Sequence, residues 1–544
     1  MTAERERAAE ELVEGFLRAA PEGWTEARLS WTEDDHRLGS TSAFRTRDGS
    51  WRPLRGRGKH GFLLAPVRAL RPPGGRPGGT GELVCAPGGA YRLVVAPDTV
   101  VHGGAEWGIL LDPDARPPEP GCAEETGTAA PAGDPAEAVA LLRAIVARRA
   151  GLLGGPERLP APAGEGAIEA AERRLGVRLP ADLRALYGVA DGDTVDGRHR
   201  CLLGEGWLSL DGMAAAHAYR REPDRTSRSP WGAVIFDADP PGRVRRSTGD
   251  PTRVPFLTGE DGNHLAVDLA PARYGRPGQV LRIGRDHAHG AALLADSVTA
   301  LLRRVLDALE RGAYEVSGGN VWPDRTWHGS PRRPDPAGVT ERPGPRVQEA
   351  EHRDGGGPVD LAALAGAPAL RRVTLYGGTA ARDLAPLRDT PVESLTTALT
   401  GTGTGLAPLA GHPRLRALRL TGAGAPVDLA PLRTLPALRD LDLSGVPLAG
   451  PAVLSELSGL RRLALDRGQW AALLAAGGAP AGLAEVRLVA PDAGLDEALA
   501  LAARLGHPLE SFRAGRAGLA SVRETDGRGA DGPRHLRAPV DGPP

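Results

Sequence analysis

Asp261 and Asp268 are the acidic pair in this chain whose spacing comes closest to an acid–base arrangement. Paired carboxylates do such work only inside a cleft that drives their pKa values apart. Nothing around this pair in the sequence predicts such a cleft, so the plainer assignment stands: Asp261 caps a turn, and Asp268 fixes a loop or faces a partner. His287 and His289 alternate, a spacing that on a strand puts both imidazoles on one face. No further Cys, Asp or His stands at ligand spacing beside them, so no metal is expected. Cys85, Cys122 and Cys201 are far apart and read neither as ligands nor as a disulfide framework, which suits a reducing cytoplasm. There is no G-x-x-x-x-G-K-[ST] phosphate loop, no G-x-S-x-G, no H-E-x-x-H and no dinucleotide fingerprint. The expectation is a protein without catalytic activity and without a cofactor.

The elements that carry these residues lie in the middle of the chain. Ile168, Ala171, Leu175 and Leu179 follow helical spacing, Gly176 ends that helix, and Pro180 opens the next at a position that needs no amide donor. Leu183, Leu186 and Tyr187 bury the second helix. Trp207 to Leu210 and Trp231 to Phe236 read as strands. Thr258 to Asn263 is a turn rich in residues that tolerate positive φ. His264 to Leu269 alternates into a strand, a further strand begins at Gly278, and Ala295 to Val305 forms a closing helix. These words in this order resemble the SUKH superfamily, the Smi/Knr-type domain. The resemblance covers roughly residues 165–315 and rests on the helical stretch, on Glu260-Asp261-Gly262-Asn263, on Val267-Asp268-Leu269 with Pro271, and on Gly275, Gly278, Gln279 and Val280. It implies a non-catalytic α+β binding module with Asp261, Asn263 and Asp268 at a partner-facing rim. In bacteria it further implies an immunity-type protein that binds and neutralises a toxin, a polymorphic toxin domain being the partner. The segment from Arg221 to Thr252 departs from the family pattern. It is long and arginine-rich, either an inserted loop or an arm that touches a partner.

A repeat follows. The pattern L-x-x-[LV]-x-L occurs at Leu370, Leu415, Leu438, Leu460 and Leu483, with a degenerate copy near Glu393. The period resembles that of short bacterial leucine-rich repeats, although the usual asparagine is absent. Such a solenoid turns its leucines inward. Strand positions between them would form a concave face, on which Arg372, Arg416, Arg419, Arg439 and Asp442 are the expected partner contacts. Mixed signs suit a protein with complementary charge. Acids interrupt the arginines and no aromatic series accompanies them, which argues against nucleic acid.

Residues 1–152 read as a small α+β domain. Ala8, Leu12, Phe16 and Leu17 make a helical face, five β-like runs follow, and a second helix spans 136–149. Gly23-Trp24 before a charged strand resembles other small bacterial immunity domains. The expected order is therefore an α+β domain (1–152), a SUKH-like domain (153–318), a Pro/Gly-rich linker (319–357), an α/β leucine-rich-repeat solenoid (358–515) and a disordered tail (516–544). With 67 basic and 68 acidic residues and a net charge of -1, no global field attracts nucleic acid or an anionic membrane. No signal peptide and no run of about 18 apolar residues appears, so a cytoplasmic protein is expected. Oligomeric state is left open. Beside immunity, the alternative is a regulatory scaffold that bridges two protein partners through the SUKH-like domain and the repeats.

Overall fold

A computed structural model describes residues 3–33, 38–53, 64–71, 78–117, 119, 121, 124–193, 202, 204–221, 230–259, 261–323, 335–353, 357–399 and 405–516. Cys122, Cys201, Glu260 and the expected tail beyond residue 516 lie outside these. The chain is a mixed α/β protein in two compact units, one of residues 1–111 with 490–544, the other of residues 112–489.

In the first unit, an antiparallel sheet runs in the order Phe512–Arg516, Tyr91–Ala96, Gly79–Cys85, Trp24–Glu33, Leu38–Thr46, Trp51–Pro53. Alternation puts Ala27, Leu29 and Trp31 inward on the strand Trp24–Glu33. The helix Ala3–Leu17 covers that face with Ala8, Leu12 and Phe16, and Phe16 stacks on Phe44 at 4.9 Å. Gly81 is required there, because a Cβ would sit 2.0 Å from the Trp31 ring. The C-terminal strand Phe512–Arg516, expected to lie at the end of the repeats, is an edge strand of this sheet. Asp496 ties it in through ion pairs to Arg513 (3.0 Å) and Arg92.

The second unit holds the SUKH-like domain. Its sheet runs in the order Ala292–Ala295, Gln279–Gly284, Asn263–Asp268, Arg253–Thr258, Gly206–Trp207, all antiparallel. The helices Glu165–Leu175, Ala181–Tyr187 and Val298–Glu310 pack on it as the apolar spacing predicts. The segment from Trp231 to Phe236, expected as a strand, is a 3-10 turn followed by chain outside any sheet. A larger difference concerns the helix Pro135–Leu153, which the sequence reading placed in the N-terminal domain. It buries Ala138, Leu142 and Ile145 in the core of the SUKH-like domain. Its Arg149, 2% exposed, pairs with Glu157 at 2.7 Å and donates to Asn320 Oδ1 (2.8 Å) and the Val321 carbonyl (3.0 Å). Burying that guanidinium requires these acceptors, so the helix cannot leave without stranding a charge. The boundary therefore falls at residues 111/112 and not at 152/153.

The same unit carries a parallel ladder: Ala337–Gly338, Glu349–His352, Arg372–Leu375, Ser394–Leu399, Ala417–Ala423, Asp440–Asp442, Arg462–Asp466 and Glu485–Val489. Val373, Leu395, Leu418, Leu441, Leu463 and Val486 are successive cross-strand partners, 22 or 23 residues apart and all buried. Short 3-10 turns return the chain, and each turn starting at Ala362, Ala385 or Ala430 is preceded by an Asp that accepts its backbone N–H. The ladder starts inside the stretch expected to be a linker. Part of that stretch, Asn320–Pro323, is instead a hairpin strand on the SUKH-like domain. Among the described residues no sheet closes into a barrel, and no helix is long and apolar enough to cross a membrane.

Candidate protein-binding surfaces

At the rim of the SUKH-like domain, Gly262 takes φ +80° between the strands Arg253–Thr258 and Asn263–Asp268. The turn closes when Asp261 Oδ1 accepts the Asn263 backbone N–H (2.9 Å) and its Oδ2 accepts Arg282 (3.0 Å). Those hydrogen bonds and the nearby guanidinium, acting against the desolvation of the group, hold the Asp261 carboxyl below its ordinary value. Asn263 is 2% exposed. Its amide donates to Asp286 (2.7 Å) while its Oδ1 accepts the Asp286 backbone N–H (3.0 Å), so it staples two turns together. Asp268 is 1% exposed and accepts from Gln279 Nε2 at 2.9 Å. Burial raises its pKa, with Arg253 opposing.

The rim residues thus separate. Asn263 and Asp268, both expected to face a partner, are interior hydrogen-bonding groups, because each must satisfy buried neighbours. Asp261, Arg285 and Asp286 present side chains to solvent. His287 and His289 sit in a 3-10 helix and the turn after it, not on a strand. The His289 Nδ1 lies 3.2 Å from the Val234 carbonyl and its ring meets Phe236 edge-on, while burial lowers the pKa of His287.

The ladder's charged face shows a second departure. A free surface was expected, but the arm of the SUKH-like domain lies on it. Arg371 holds Asp237 Oδ2 with Nε (2.9 Å) and Nη2 (2.6 Å). Gln348 accepts the Asp237 N–H (2.8 Å) and donates to the Asp237 carbonyl (3.0 Å). Arg372 pairs with Glu349 at 2.6 Å and lies 4.9 Å from the Phe236 ring centroid. Arg416 donates to the Ala233 carbonyl at 2.6 Å, and burial lowers its pKa, with Glu393 opposing. From the arm, Arg246 reaches Glu393 (2.6 Å), which Arg371 shares (2.7 Å). Gly232 is needed where the arm crosses the ladder, because a Cβ would meet Asp440 Oδ2 at 2.3 Å.

Of the expected ladder contacts, Arg372 and Arg416 are therefore occupied within the chain. Arg439 is half-buried and donates to its own Pro436 and Leu438 carbonyls (3.1 and 2.8 Å). Asp442 is buried and accepts from Ser444 (2.7 Å). Only Arg419 among them is well exposed, and it lies 3.3 Å from Asp442. Arg371, Gln348, Glu393, Asp237 and Arg246 were not anticipated as a cluster. The one available signal was the arginine-rich departure between Arg221 and Thr252, which does supply an arm.

The helices on an antiparallel sheet, with a charged turn at the rim, define a two-layer α+β domain extended by an arm. Residues 162–304 match the SMI1 / KNR4 family (SUKH-1) and form that domain. The chain is 36% identical over 80 residues to the KNR4/SMI1 homolog of Yarrowia lipolytica, covering 15% of this chain and 11% of that protein. It is 32% identical over 100 residues to the glucan synthesis regulatory protein of Neurospora crassa, covering 16% and 18%. It is 27% identical over 161 residues to the cell wall biosynthesis/cell cycle regulator smi1 of Schizosaccharomyces pombe, covering 28% and 30%. The chain thus spans less than a third of each of these relatives. The names of the second and third overturn the immunity reading: they are regulators, and neither is named as a toxin-neutralising protein.

Proposed function

We propose that this chain is a non-enzymatic regulatory scaffold that bridges two protein partners, one on the SUKH domain and one on the parallel ladder. The regulator names of the relatives matched by the domain carry this reading. The ladder supports it: we read its 22- or 23-residue spacing as that of a leucine-rich-repeat solenoid, an architecture whose extended face suits protein ligands. On the domain, the solvent-facing Asp261, Arg285 and Asp286 are the assigned contacts, and on the ladder Arg419 is. Cross-linking from these positions in the full chain, followed by sedimentation with the captured proteins, tests the reading. Two different proteins, one per surface, in a single ternary complex are expected. Capture of every partner through one surface alone would overturn the bridge.

A further inference from the structure

The contacts that hold the arm on the ladder are those of peptide recognition. Between Ala233 and Ala238 the arm has no regular secondary structure. Gln348 reads both backbone groups of Asp237, as a neighbouring strand would. Arg371 forks onto a carboxylate, Arg372 lies over an aromatic ring, and Arg416 takes a main-chain carbonyl. None of these four interactions needs the rest of the SUKH domain. Each reads a feature that another polypeptide can carry: a main chain outside regular secondary structure, with an aromatic residue followed directly by an acid. The arm's other edge belongs to its own domain, where the Phe236 N–H donates to the His289 carbonyl (2.8 Å) and the Ile235 carbonyl accepts from Arg246 (2.8 Å).

We infer that the charged face of the ladder is a peptide-reading surface, filled in cis by Ala233–Asp239, and that a protein partner offering an aromatic–Asp segment competes for it. The inference deepens the scaffold reading, on which it rests for the existence of such a partner. A tethered segment acts at an effective concentration on the order of millimolar, so a weak ligand in trans is excluded until the cis contacts loosen. The partner must therefore bind much more tightly than the arm, or act on a chain whose arm has been weakened.

The test uses the full chain and a labelled peptide of residues 230–241, followed by fluorescence anisotropy. The wild-type chain should show no saturable binding at peptide concentrations up to about 100 μM, well below that effective concentration. The Phe236→Ala/Asp237→Asn chain should bind at least tenfold more tightly than wild type. Adding Arg371→Ala and Arg372→Ala to that chain should abolish the gain, as should a peptide with Ala at both the Phe and Asp positions. Should the double variant melt below the assay temperature, Asp237→Asn alone replaces it and should show a smaller gain of the same sequence dependence. A folded, loosened chain that ignores the peptide, or binds it regardless of Arg371 and Arg372, overturns the inference. Because the ligand is the chain's own segment, this outcome is independent of the ternary-complex test: peptide binding without a second partner would sink the scaffold and leave the surface standing.

Discussion

Asp268 shows how a residue in a motif can serve the fold. Its carboxyl is buried against Gln279, and burial holds its pKa above the ordinary carboxylate value. The folded chain therefore binds this proton more tightly than the unfolded chain. Its contribution favours folding below the unfolded pKa and is lost as pH rises through the folded pKa. Asp268→Asn removes the titration. The variant should gain stability relative to wild type as pH is raised above the ordinary carboxylate value of about 4. Paired thermal melts at and above that value check it, and melting curves that shift in parallel would show that the buried carboxyl does not titrate differently on folding. Asp261, held low by its hydrogen bonds and Arg282, keeps its charge at the rim under the same conditions.

The helix Pro135–Leu153 is the element whose allegiance matters most. Asp134 caps it by accepting from the Ala136 and Glu137 amides, and Gly154 ends it at φ +74°, so its boundaries are set locally. Its partner is set by packing. A fragment beginning at residue 153 would expose the faces that Ala138, Leu142 and Ile145 cover and would leave Glu157 buried without Arg149. Removing one member of a buried pair costs about 3–5 kcal/mol, before any apolar loss. Residues 153–318 should therefore fail to fold cooperatively, while residues 112–489 should melt in one transition, as read by circular dichroism. A stable, cooperative 153–318 fragment would place the helix outside the domain.

At the scale of the residue 112–489 unit, Glu393 is the acceptor shared by an arm arginine, Arg246, and a ladder arginine, Arg371. All three side chains are largely buried, so the pairs owe little to surface charge and should be screened weakly by salt. Glu393→Ala removes a carboxylate that two buried guanidinium groups share, leaving Arg246 with only the Ile235 carbonyl, and should cost roughly 3–5 kcal/mol. Because the Arg246 pair joins the SUKH domain to the ladder, calorimetry should also resolve the single transition into two. One transition, unmoved in temperature, would mean that the arm does not couple them.

Local periodicity determined much of this protein from sequence alone. The helices at 165–175, 181–187 and 298–310, the strand Asn263–Asp268 and the stacked Leu418, Leu441 and Leu463 follow from apolar spacing, because period 3.6, period 2 and a 22- or 23-residue repeat are written in consecutive residues. The SUKH domain was legible for the same reason, its words standing in order along the chain. What neighbours each element was not. The helix Pro135–Leu153 has an apolar face that any core could bury, and the strand Phe512–Arg516 has backbone groups that any sheet edge could pair. Likewise, Arg372 and Arg416 have the same spacing whether they face solvent or an arm. Apolar area and hydrogen-bonding groups are not addressed to a partner by their own sequence. Only the tertiary structure, by bringing Ala233–Asp239 onto the ladder, decided which charges were left for another molecule to find.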